Sequence, residues 1–199
     1  MPKKIQQDNT AHFLPRVTVI LAKIAEVLHW WLAGAALISA VVSIISPSFV
    51  IKLAQNFNLQ KTVSLSCYGY EVVVTSQDGG LRGDGITIFL IGSIIVLSLM
   101  AMIFRNVYLI LKTADGKTWF TEGNTPFQKN IVRMFREIGI FFIAISVMSL
   151  ISEIFTNIAE NELNTGFNYL NCFIGLVFLC ISQFFNYGTR LERDLDGLV

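Results

Sequence analysis

Asp115-Gly116-Lys117-Thr118 carries the end of a phosphate-binding loop: a lysine to reach phosphate oxygens and a hydroxyl to hold magnesium. The full motif needs a glycine five residues before Gly116, and Leu111 stands there. No glycine-rich turn is then left to offer its amides to a nucleotide. Neither histidine lies in an HExxH helix, and no GxSxG serine elbow is present. Cys67, Cys172 and Cys180 form no CxxC pair and give no zinc-like spacing. These residues predict a protein that is not an enzyme and holds no metal and no cofactor.

Glu153 is the charge of most chemical interest, because a carboxylate inside an apolar helix is costly and often marks an ion or proton path. At about 100° per residue, Gly139, Ser146, Ser149, Glu153 and Asn157 fall on one face. Asn168, Asn171, Cys172, Gly175, Ser182 and Asn186 share a face of the next helix, and Ala36, Ser39, Ala40 and Ser43 form a narrow small-residue face on the first. Two readings fit. Small and polar residues hold membrane helices together, or Glu153, Asn157, Asn168 and Asn171 form a ligand or ion site.

The elements that position these groups follow from composition. Of 199 residues, 53% are hydrophobic and 15% charged, with a mean hydropathy of +0.59, whereas soluble domains carry about a quarter charged residues. A net charge of +1 gives no basic field for direct nucleic-acid binding. No cleaved signal peptide is read at the N-terminus. Four apolar runs, roughly 28–46, 86–104, 138–158 and 167–187, are long enough to cross a hydrocarbon core about 30 Å thick. In lipid each must be a helix.

Lysine and arginine set the orientation. Twelve lie before, between and after alternate spans, and three (Lys52, Lys61 and Arg82) lie on the other side. The expectation is a multi-pass protein of the inner (cytoplasmic) membrane, with both termini and the loop 105–137 in the cytoplasm and the loop 47–85 outside. His29, Trp30 and Trp31 are placed as a headgroup anchor of the first span. Cys67 and Cys172 then share the outer side, where a disulfide is one option. Cys180 reads as a small core residue.

Val17, Ile20, Leu21, Ile24 and Leu28 extend the first helix as one apolar stripe. Upstream of the third span, Thr125 and Gln128 have capping-box spacing, with Pro126 at the first helical position. Phe127, Ile131, Met134, Phe135 and Ile138 form a stripe there that reads as a helix on the headgroups before it turns inward, the alternative being a docking surface for a soluble partner. In the outer loop, Val63, Leu65 and Cys67 alternate with polar residues, and Val72-Val73-Val74-Thr75 follow Tyr68-Gly69-Tyr70. This predicts a β-hairpin over 63–75, capping the bundle, with a mobile return over 76–85. The fold class is therefore all-α: a single membrane domain over 1–199, a four-transmembrane-helix bundle with a small β-hairpin in its first outer loop.

Gly116, Phe120-Thr121, Asn124 and Arg136-Glu137-Ile138-Gly139, with Tyr187-Gly188-Thr189-Arg190-Leu191 and Asp194-Leu195-Asp196-Gly197-Leu198-Val199 at the end, resemble the DUF2975 family of small four-helix bacterial membrane proteins. The last half of the chain carries the match, and the first half matches in hydropathy only. The resemblance implies a membrane protein of a kind encoded beside small helix-turn-helix regulators, and it brings no catalytic residues. With the extended cytoplasmic helices, it predicts a sensor or sequestering scaffold for a small regulator. Trp119, Phe120, Asn124, Arg133 and Arg136 are the candidates for contacting that regulator, and the lipid bilayer is the other partner. The rivals are a small transporter using Glu153 and the asparagines, and an immunity protein against a membrane-active peptide.

Overall fold

The computed structural model describes residues 5–56, 64–75, 80–119, 127–160 and 169–196, with side chains over 16–56, 64–75, 80–119, 127–154 and 169–194. Its elements in chain order are α1 (Ile5–Ile45), α2 (Pro47–Asn56), β1 (Ser64–Cys67), β2 (Tyr70–Val73), α3 (Gly83–Ala114), α4 (Lys129–Glu160) and α5 (Tyr169–Asp196). Four of the helices are long and apolar enough to cross a membrane, over Arg16–Ile45, Gly83–Ala114, Lys129–Ile154 and Tyr169–Asp194. The shortest of these spans has 26 residues, about 39 Å at the helical rise and more than a hydrocarbon core needs.

Along α1 the inward face is small and polar. Ala22, Glu26, His29, Ala33, Ala40 and Ser43 are buried and Ala36 half-buried, in alternating steps of four and three residues. That is the spacing of a left-handed packing seam. The large apolar residues face out: Ile20 and Leu21 are 58% and 59% exposed, and Trp31 is 71%. A water-soluble helix has the opposite arrangement. Two expectations change here. Ser39 is exposed and leaves the small-residue face, and His29 is 7% exposed, so it is no headgroup anchor with Trp30 and Trp31.

The chain forms two compact units. The first comprises Met1–Leu28, Met100–Phe141 and Gly175–Val199. Ile131, Met134 and Ile138 are buried in it, while Arg133 and Arg136 of the same helix are exposed. This stripe does not lie on a surface and then turn; α4 is uninterrupted from Lys129 to Glu160. Val132 N–H donates to the Gln128 carbonyl at 3.1 Å, which makes Gln128 the residue that caps α4. α4 begins at Lys129, and Thr125 and Pro126 lie outside the described residues. Phe135 stacks on Phe178 and is tilted against Phe185, and Phe127 leans on Phe185 with ring centroids 5.6 Å apart. Gly139 and Gly188 allow close approach, since a Cβ would fall 2.8 Å from the Gly175 carbonyl oxygen and 2.4 Å from the Phe127 ring respectively.

At the end of α3, Lys117 N–H donates to the Lys112 carbonyl and Gly116 N–H to the Thr113 carbonyl, both at 3.0 Å, with Gly116 at φ +69°. This is a Schellman cap, in which a left-handed glycine lets the chain fold back on the last helical carbonyls. The phosphate-loop look-alike Asp115-Gly116-Lys117-Thr118 is thus a helix stop.

The second unit comprises His29–Leu99 and Phe142–Ile174. Its sheet is the antiparallel pair β1–β2, in the register Ser64↔Val73, Leu65↔Val72, Ser66↔Glu71 and Cys67↔Tyr70. Leu65, Cys67, Tyr70 and Val72 share one face, and Ser64, Ser66 and Glu71 the other. Part of the segment after the hairpin is held by backbone contacts. Leu81 bridges Thr75, Arg82 N–H donates to the Val74 carbonyl at 2.8 Å, and α3 begins at Gly83, while 76–79 lie outside the described residues. α2 occupies a stretch read as loop. The Ser46 carbonyl accepts from Val50 N–H, so Ser46 caps the helix and Pro47 takes its first position. Cys67 and Cys172 are free thiols, not a disulfide, and Cys180 is exposed rather than in the core.

Candidate functional site

The polar groups of the second unit converge on the hairpin tip. Tyr68 and Gly69, the two turn residues, have φ of 52° and 83°. Both central residues are left-handed, the pattern of a type I′ turn whose twist matches the flanking strands. Glycine adopts that conformation without cost; a tyrosine pays about 1–2 kcal/mol for it. Such a turn also leaves its carbonyls outside the strand ladder, so they need partners from elsewhere.

The helices supply those partners. Asn171 Nδ2 of α5 donates to the Tyr68 carbonyl at 2.7 Å, and Ser149 Oγ of α4 donates to the Gly69 carbonyl at 3.1 Å. Ser152 Oγ lies 3.5 Å from the Glu71 carbonyl and 2.8 Å from its own helix's Ser149 carbonyl. The Tyr68 hydroxyl meets His29 Nε2 of α1 at 2.6 Å, with the two rings tilted at 42°. Tyr70, 1% exposed, donates its hydroxyl to the Ile88 carbonyl of α3 at 2.9 Å and lies beside Phe89. Its ring covers Gly92 so closely that any Cβ there would clash. Side chains of α1, α4 and α5 and the backbone of α3 therefore all hold one four-residue segment, 68–71.

Burial raises the Tyr70 phenol to about 12, with a smaller push from negative charge on Cys67. The Cys67 thiol is also raised, chiefly by burial, against a weaker pull from the Ser93 hydroxyl. On the polar face of the hairpin, Ser64 Oγ donates to Glu71.

Of the residues singled out for a ligand or ion site, Asn171 is engaged by the hairpin backbone. Glu153 is half-buried with Oε2 shielded from solvent. The Asn157 side chain and Asn168 lie outside the described residues. Of the partner-contact candidates, Trp119 is 94% exposed just past the α3 cap, and Phe120 and Asn124 lie outside the described residues. Arg133 Nε is 3.0 Å from Glu137 Oε1, whose other oxygen accepts from the buried Asn106 amide at 3.1 Å. Arg136 is exposed. Among the described residues no group of three His, Cys, Asp or Glu side chains could hold a metal ion.

The sequence reading missed His29, Tyr68, Tyr70 and Gly92 as a set. The four-three spacing that buries Ala22, Glu26, His29 and Ala33 could have turned His29 inward. A Tyr-Gly turn that leaves its carbonyls unpaired could have called for donors such as Asn171. No protein-family model, no curated protein and no solved structure matches this chain.

Proposed function

We propose that this chain is a non-enzymatic membrane sensor that holds a small cytoplasmic regulator at the membrane, with the β1–β2 hairpin as its sensing element. The observation that carries the reading is the engagement of Tyr68 by both His29 and Asn171. A change at this segment is felt by several helices at once. His29 lies sixteen residues from Ile45, about 24 Å along α1, while Asn171 is the third residue of α5, so on this reading the Tyr68 ring carries the hairpin from the helix ends into the layer the helices cross. Backbone that is not helical is tolerated at such depth only when protein encloses it and satisfies its polar groups. The bonds from Asn171, Ser149 and Ser152 meet that condition.

The orientation belongs to the same proposal: a four-helix bundle with both termini cytoplasmic, as the split of twelve to three basic residues favours. Trp119, Arg133 and Arg136 then face the cytoplasm, where an exposed aromatic beside cations suits a binding hot spot. The resemblance to the DUF2975 family agrees with this assignment. The transporter reading is weaker, because Asn171, which it needs for a path, is bonded to the hairpin.

An affinity pull-down in gentle detergent from the native host tests the proposal. The wild type should retain a soluble partner, Trp119→Ala should lose it, and Tyr68→Phe should alter retention while the fold persists. A partner profile identical in all three proteins would sink the reading.

A further inference from the structure

We infer that the second unit carries a binding site for one acyl chain of an anionic bilayer phospholipid. A cavity of about 200 Å³ lies between Val50 and Ala54 of α2, Leu65 and Val74 of the hairpin segment, and Ile86 and Leu90 of α3. Ala54, Val74 and Ile86 are the buried centre of this unit's apolar cluster, with Val50, Leu65, Leu81 and Leu90 packed around them. The space therefore interrupts a hydrophobic core. A core left open in this way loses the dispersion contacts of its lining.

Water is a poor occupant. An ordered water needs two to four polar partners, and Ser39 is the one polar side chain in the lining. The occupant must be apolar and able to enter from the side. Ser39 and Leu53, both exposed, also line the cavity, and Leu53 belongs to a helix whose Phe49 is 56% exposed. α2 has one apolar flank toward the unit and another facing out, the pattern of a helix in the membrane interface. Its exposed Lys52 adjoins Leu53 in sequence, and an ammonium there complements a lipid phosphate. Apolar lining, lateral access and an adjacent cation together fit a phospholipid with one chain in the cavity.

The test uses the full chain purified in gentle detergent, with dioleoyl phosphatidylglycerol as the probe. Native mass spectrometry should find one tightly held phospholipid per chain. Ala54→Phe, which fills the cavity, should lower retention at least fivefold without lowering the melting temperature in lipid-free detergent. Lys52→Ala should weaken phosphatidylglycerol several-fold while leaving the uncharged-headgroup analogue unchanged. If Ala54→Phe does not fold, Val50→Phe fills the same space from the other turn of α2. Undiminished retention in a folded cavity-filling variant, or equal stabilisation by a lipid too short to enter, would overturn the inference.

Discussion

The Tyr70 ring rests on Gly92 with no room for a side chain between them: a Cβ on Gly92 would fall 2.1 Å from Tyr70 Cζ. A strand and the helix that follows it, β2 and α3, meet here at a helical position that has no side chain. Gly92→Ala should destabilise the protein by about 1–3 kcal/mol through overpacking, and Gly92→Val by more. Thermal unfolding in detergent measures this. Tyr70→Phe in the Gly92→Ala background should recover little, because the clash is with the ring and not the hydroxyl alone. A Gly92→Val variant as stable as wild type would show that the contact does not exist in solution.

Asn171→Ala removes the donor to the Tyr68 carbonyl and should cost about 1 kcal/mol, since the amide is only half-buried. The effect should be local. Hydrogen exchange should quicken at residues 64–73 and leave the buried part of α4 at 131–138 protected. Asn171→Asp should be worse than alanine, as it sets an acceptor against an acceptor. Unchanged exchange in the hairpin would contradict the bond.

Four helices and a hairpin were legible in the sequence because each has its own period. Runs of about twenty apolar residues announce the spans, and the alternation from Leu65 to Cys67 announces a strand. The turn at Tyr68-Gly69 was also found. What the hairpin touches was not legible, since a two-residue period gives the two faces of a strand and not the elements opposite them. The serine face of α4 illustrates the gap. Ser146 and Ser149 were placed together correctly, but their spacing fits helix glue as well as donation to Gly69. α2 was missed because ten residues are too few for a hydropathy signal, although Ser46-Pro47 was present as a start signal. His29 was pulled toward the headgroups by the neighbouring tryptophans, and only its place in the four-three spacing could have opposed them.

The hairpin should loosen in alkali. Tyr70 ordinarily titrates near 10.0 and is raised to about 12 by burial first and Cys67 second. A folded-state value above the unfolded one means that its contribution to stability is complete below pH 10, declines above it, and is lost as the pH rises through 12. Wild-type melting temperature should therefore fall across that window. Tyr70→Phe should flatten the part of the fall that this phenol causes. Parallel curves for the two proteins would remove Tyr70 from the explanation.

Glu153→Gln separates the sensor from the transporter. The carboxylate is half-buried on α4, and the amide has the same shape without the charge. On the sensor reading, expression, folding and partner retention should be unchanged. Collapse of an ion-dependent flux in proteoliposomes, with folding intact, would favour the transporter instead.

The bonds around Tyr68 also impose an order on synthesis. The hairpin leaves the ribosome before α4 and α5, yet Ser149, Ser152 and Asn171, which satisfy its carbonyls, lie 80, 81 and 103 residues away from their partners. Until those helices arrive, the Tyr68, Gly69 and Glu71 carbonyls lack these side-chain donors. Docking of the hairpin is then a final step that only a full-length chain can take. A chain truncated after α3 should keep its spans but leave residues 64–73 open to protease, a mark by which a cell could tell an unfinished molecule from a finished one.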